Sequence, residues 1–281
     1  MNYRANIAAV FRRACACPRQ LTAGALACTI SILLSTAVAS PALARPGGAH
    51  LARVTRDATP TVVRQASARA AEDRRICAQA AGDAAINACT DAIASGQHEG
   101  KALGEIYYNR AVEYGNKGDD QRALADYSEA IRLSPTNASA YYNRGTVFAH
   151  RGENGRALAD FDEAIRLAPN HAAAFSNRGL VWSRQGDDER AITDFSKAIR
   201  LAPDRAAPYY NRGRAWYRLK DYARAVADLN EAARLDPADV DTLYARGLAR
   251  RANGDLAGGE TDITAAKRID PNVAPSRNTS R

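Results

Sequence analysis

Prolines stand at 135, 169, 203, 237 and 271, each 34 residues after the one before. An internal period of this length means that one small unit is repeated, because no unit so short can bury its own apolar face and each must stack on its neighbours. The period recurs in Tyr107-Tyr108-Asn109-Arg110, Tyr141-Tyr142-Asn143-Arg144, Phe175-Ser176-Asn177-Arg178, Tyr209-Tyr210-Asn211-Arg212 and Leu243-Tyr244-Ala245-Arg246. A small residue follows each run (Ala111, Gly145, Gly179, Gly213 and Gly247). Three residues on come Tyr114, Phe148, Trp182 and Trp216, with Arg250 breaking the series.

A second helix is predicted after the turns Gly118-Asp119, Gly152-Glu153, Gly186-Asp187, Lys220-Asp221 and Gly254-Asp255. It carries Ala123, Ala157, Ala191, Ala225 and Gly259, then Tyr127, Phe161, Phe195, Leu229 and Ile263, then Ala130, Ala164, Ala198, Ala232 and Ala266. Steps of three and four put these groups on one helical face. Small residues let two helices approach while the large side chain fills the space beside them. Each proline then ends its helix, since it lacks an N–H and disfavours helix in the residue before it.

With small residue, aromatic, alanine and proline all in register, the chain resembles the tetratricopeptide repeat (TPR) family. The resemblance implies an all-α, right-handed superhelical solenoid of antiparallel helix pairs. Its units are residues 104–137, 138–171, 172–205, 206–239 and 240–273, with a tail at 274–281. Residues 71–103 read as a degenerate N-terminal capping repeat: Gly82-Asp83 mimics the turn, and Ala85-Ile86, Cys89 and Ala92-Ile93 match Ala191-Ile192, Phe195 and Ala198-Ile199. Residues 45–70, with Pro46-Gly47-Gly48 and Pro60, read as a flexible linker.

The family resemblance also implies a concave groove, lined by the first helix of each unit, that takes a protein or peptide segment. On this sequence the groove positions include Tyr108, Tyr142, Tyr210 and Tyr244 in one row and Asn109, Asn143, Asn177 and Asn211 in a second. Tyrosine presents apolar area with a polar tip, and an asparagine amide can pair with an extended backbone. The competing reading makes both rows part of the packing between helices. The later groove adds Arg184, Arg214, Arg218 and Arg251, suited to a carboxylate-bearing segment. The carboxylate clamp of chaperone-binding family members lacks its basic residue near the early tyrosines.

One Arg and one Asp also recur per unit: Arg110, Arg144, Arg178, Arg212 and Arg246 with Asp126, Asp160, Asp194, Asp228 and Asp262. The arginine occupies a place where the resembling family more often has leucine, facing the second helix. A ladder of partly buried ion pairs is expected, with a structural role.

The first 44 residues read as an address. Arg4, Arg12, Arg13 and Arg19 precede a stretch, residues 21–39, that is apolar or small throughout, and Ala42-Leu43-Ala44 precedes Arg45. A basic start, an apolar run and an A-x-A site make a secretory signal peptide, with cleavage expected between Ala44 and Arg45. An uncleaved anchor is the main competitor, since about 19 apolar residues can just span a bilayer. Cleavage removes Cys15, Cys17 and Cys28 and leaves Cys77 and Cys89, which in an oxidising compartment suggest one bridge across a short helix pair. Two buried thiols packing as small apolar groups are the alternative. The expected location is the periplasm of a Gram-negative bacterium, or the medium.

No nucleophile elbow, S-x-x-K, H-E-x-x-H or phosphate-binding glycine loop occurs, so an enzyme is not expected, nor a cofactor, metal or small-molecule substrate. A net charge of +8 invites nucleic acid as a partner. The charge is unevenly distributed, however: the leader carries four arginines and no acid, while residues 104–273 hold 25 basic and 25 acidic groups. A neutral array argues against a polyanion-binding protein, and the membrane enters only through the export signal. The expected function is a non-enzymatic scaffold for protein–protein interaction, with a cell-envelope adaptor for a protease or peptidoglycan enzyme as the alternative.

Overall fold

The computed structural model describes residues 60–274. The signal peptide, its cleavage site at Ala44 and Arg45, and the first part of the linker lie outside the described residues. Among those described there are twelve helices and no strand: α1 (Pro60–Gln79), α2 (Gly82–Ala94), α3 (Gly100–Asn116), α4 (Asp120–Leu133), α5 (Ala138–His150), α6 (Asn154–Leu167), α7 (Ala172–Arg184), α8 (Asp188–Leu201), α9 (Ala206–Arg218), α10 (Tyr222–Leu235), α11 (Val240–Ala252) and α12 (Leu256–Ile269). From Arg69 onward the helices form one compact unit. Each odd-numbered helix from α3 on packs most heavily on the even-numbered helix that follows it, then on the one before it. The result is an all-α solenoid of stacked pairs.

The linker reading of residues 45–70 is corrected at its end. Helix α1 begins at Pro60, and Thr61 to Gln79 contain neither Gly nor Pro but several Ala and Arg. Proline fits the first helical position because its missing N–H would have had no partner there. Composition poor in bulky residues suggested a linker, while local propensity favoured a helix.

The second helices end at Leu133, Leu167, Leu201, Leu235 and Ile269, each two residues before its proline. Their N-termini are capped by the turn acids: Asp119, Asp187, Asp221 and Asp255 accept the backbone N–H three residues on, whereas Glu153 does not. The preceding turn residue has positive φ, +76° at Gly118 and +85° at Gly186. In the fourth unit Lys220 occupies that position at +62°, a conformation that glycine adopts without the steric cost a side chain incurs.

The core lies where the two faces meet. Ala123, Ala157, Ala191 and Ala225 are fully buried, and so are Phe161, Phe195 and Leu229. The small residues of the first helices are set by close approach: a Cβ on Gly247 would lie 2.7 Å from Ile263 Cγ1 and 2.8 Å from the Gly259 carbonyl oxygen. Behind the core, the first-helix aromatics are covered by arginines from the next helix. Arg122 lies over Tyr114, Arg156 over Phe148, Arg190 over Trp182 and Arg224 over Trp216, the last at 3.7 Å from the ring centre. In the fifth unit both partners change together, to Arg250 and Gly258.

The two ends are closed differently. At the first, Cys77 and Cys89 are buried against Ile106, with Cα atoms 4.7 Å apart and sulfurs at 2.13 Å, within bonding distance. Glu113 accepts the Gly82 N–H at 2.7 Å, and Lys117 pairs with Asp83, tying α3 to α2. At the other end the changes lie in α12. Leu124 and Val226 pack towards Val147 and Ala249 of the following unit, and Ile199 and Ala233 are buried. The same registers in α12 hold Glu260 and Lys267, both exposed. A polar outer face on the terminal unit keeps such an array soluble.

Candidate functional site

The five predicted ion pairs all form. Each arginine grips its aspartate through two bonds, Nε to Oδ2 and Nη2 to Oδ1, at 2.6–2.9 Å in every unit. The aspartates are buried. In units one to four the remaining nitrogen, Nη1, reaches the preceding pair, finding Thr90, Ser128, Asp162 and Ser196. Asp194 and then Asp162 hold the Arg178 guanidinium well above its ordinary range. Each of these arginines is committed to its own aspartate, and in units one to four it also ties its unit to the one before, which is a structural role.

The Tyr and Asn rows separate into two classes. Asn143 Nδ2 donates to Tyr108 Oη and Asn177 Nδ2 to Tyr142 Oη, both at 3.2 Å, so each asparagine ties its unit to the tyrosine of the unit before. Burial raises the Tyr108 hydroxyl pKa, against the opposing bonds from Asn143 and Ser139. The pattern then stops, because Asn211 meets Ser176 where a tyrosine would be, and Tyr210 meets Ala245 where an asparagine would be. Asn211 and Tyr244 have no side-chain hydrogen-bond partner among the described residues. Tyr210 is paired instead with Arg214, whose guanidinium lies 5.4 Å from its ring centre, and burial again raises its hydroxyl.

The four candidate arginines are equally divided in role. Arg218 is closed: it pairs with buried Asp188 through Nε at 2.8 Å and through Nη2, which also bonds Ser183. Arg251 lies 3.9 Å from Glu260 on the exposed surface. Arg214 makes no ion pair among the described residues, and its Nη2 is buried without a hydrogen-bond partner. Arg184 donates Nη1 to the Ala149 carbonyl at 3.2 Å and has no carboxylate partner among the described residues; burial draws its pKa down. Asn109 is apart from all of these. It lines an open cleft of about 290 Å³ with Ala71, Arg74, Gln79, Glu105 and Ile106, between α1 and α3. Among the described residues no group of three or more His, Cys, Asp or Glu is placed to hold a metal.

Family models for the TPR repeat match residues 113–150, and for the tetratricopeptide repeat residues 151–206, 177–240 and 210–274. Together they span more than half of the chain. This chain belongs to the tetratricopeptide repeat family. No curated protein sequence matches it significantly. Solved TPR structures share the fold at low identity. MamA from Desulfovibrio magneticus RS-1 is 22% identical with a TM-score of 0.56, covering 60% of this chain and 95% of its own. YrrB, described as a TPR protein with an unusual peptide-binding site, is 21% identical with a TM-score of 0.57, covering 66% and 94%. Pseudomonas aeruginosa PilF is 17% identical with a TM-score of 0.62, covering 74% and 94%.

Within the TPR array, the residue missed in the sequence is Asp188, which removes Arg218 from the free cations. The signal was present: the first residue of each even helix from α4 to α10 reads Asp120, Asn154, Asp188 and Tyr222, one unit before His150, Arg184, Arg218 and Ala252. His150 bears out the register, since Asp120 acts electrostatically on its imidazole, although burial and Arg184 together leave its pKa lowered.

Proposed function

We propose that this TPR array is a protein-interaction scaffold that holds an extended segment of a partner in the C-terminal half of its groove, across α7, α9 and α11. The observation carrying this reading is the break in the Tyr–Asn ladder. Tyr108, Tyr142, Asn143 and Asn177 are spent on one another, while Asn211, Tyr244 and the buried Nη2 of Arg214 have hydrogen-bonding capacity left over. A buried donor with no acceptor costs about 1–3 kcal/mol, which a ligand carbonyl or carboxylate would remove on binding. The peptide-binding site described for YrrB belongs to that protein, and supports the reading only as an example of the same fold taking peptide.

The export reading completes the proposal. The basic, apolar and A-x-A segments of residues 1–44 address the chain to the periplasm, and the two remaining cysteines, with sulfurs within bonding distance, suit an oxidising compartment. A photo-crosslinking amino acid placed at Asn211 or Tyr244, and as a control at Arg132 on α4, tests the groove in the native host. The expected result is a defined adduct from the groove positions alone, with the adducted segment mapped by mass spectrometry. Equal labelling from Arg132, or none from the groove, refutes it.

A further inference from the structure

Arg184 and Arg218 occupy the same register in successive units, and each reaches back to the same place in the unit before. Arg184 donates to the Ala149 carbonyl and Arg218 to Ser183, one repeat apart. Arg218 then finds a carboxylate, because the first residue of α8 is Asp188. The equivalent first residue of α6 is Asn154. An amide there leaves the Arg184 charge without a counter-ion, although an aspartate at the same register stands on either side, at Asp120 and Asp188.

We propose that Asn154 is a specificity-determining residue: by being neutral it leaves Arg184 free to take a carboxylate from an acidic partner segment. This rests on the groove reading above. Arg184 lies in the unit before Arg214, whose Nη2 is buried without a hydrogen-bond partner among the described residues. An extended segment crossing α7 and α9 therefore meets two cations in succession and is selected for Asp or Glu side chains. A guanidinium–carboxylate bond is roughly twice as strong as a neutral one, so acidic and amide side chains are told apart at this point.

The probe is a fluorescein-labelled peptide, Gly-Ala-Glu-Ala-Glu-Ala-Gly, compared with its Gln-for-Glu counterpart by anisotropy at low salt on the full exported chain. The parent is expected to prefer the glutamate peptide by about tenfold. Asn154→Asp should reduce that preference to within about twofold by supplying Arg184 with the partner that Arg218 already has. Arg184→Gln should do the same. Asn154→Ser, which stays neutral, should keep the preference. Thermal melting checks that each variant is folded, and the aspartate variant has precedent in the neighbouring units. An undiminished preference in Asn154→Asp, or no preference or binding in the parent, overturns the proposal. If groove positions still crosslink a partner in that case, the groove reading stands and only the role of Asn154 and Arg184 fails.

Discussion

Replacing Asp160 by Asn tests the Arg–Asp ladder at a rung whose arginine has no second carboxylate. In the native protein Asp160 accepts Arg144 Nε and Nη2, both at 2.8 Å, and its side chain is 8% exposed. The amide keeps one acceptor and turns an NH2 towards a guanidinium donor, so one charge-assisted bond is lost and a donor opposes a donor. The third Arg144 nitrogen meets only the neutral Ser128 hydroxyl, at 3.1 Å. The cation is then half-buried with no carboxylate, for which about 3 kcal/mol is expected, at the lower end of the range for stranding one member of a buried pair. Asp194→Asn makes the same change opposite Arg178, but that arginine retains Asp162 at 2.6 Å. The loss there should be smaller, about 2 kcal/mol. Urea unfolding of the whole chain, followed by circular dichroism and by the fluorescence of Trp182 and Trp216, measures both. A double Arg144→Met, Asp160→Leu variant should recover most of the loss, because it strands no charge. Equal midpoints for Asp160→Asn and the parent, or a larger loss for Asp194→Asn, would refute the reasoning.

Three further outcomes follow from the same structure. Asn143→Ala and Asn177→Ala should each lower stability by about 1 kcal/mol, whereas Asn211→Ala, which breaks no bond, should stay within about 0.5 kcal/mol by the same urea assay. Lys220→Gly should raise the thermal midpoint, by about 1 kcal/mol in free energy, since it removes the one described side chain held at positive φ; a lowered midpoint would contradict the turn geometry. His171 caps α7 by accepting the Ala174 N–H on Nδ1, and burial holds its pKa below the ordinary 6.5. The fold thus favours the neutral ring, so this stability is present above about pH 6.5 and falls as the pH drops below it, where the unfolded chain binds the proton first. His171→Asn keeps an acceptor and should make that acid limb shallower in melts between pH 5 and 7.5, leaving the neutral end unchanged; the slope that remains belongs in part to His150, whose pKa is also lowered.

Much of the fold was legible because its determinants are local and repeated. Five prolines and the Gly, Ala and aromatic positions between them mark helix ends and facing surfaces, and a 34-residue period leaves only nearest-neighbour stacking as a way to bury them. The Arg–Asp ladder was legible for the same reason, since one residue of each kind recurs in every unit. The start of α1 was misread as linker because low bulk and one proline outweighed a run with no breaker after Thr61.

The groove divides differently. Sequence alone set the register that the Tyr, Asn and Arg rows share on successive first helices, because register on a helix is a matter of counting. It did not determine which of them are free, because that depends on what the adjacent unit places opposite. Asn143 and Asn211 are the same residue at the same register, and only Tyr108 in one case and Ser176 in the other distinguishes an occupied amide from an available one. Arg184 and Arg218 differ in the same way through Asn154 and Asp188. The period is written along the chain, but saturation of a hydrogen bond or a charge is a property of two units in contact, and that contact exists only in the folded array.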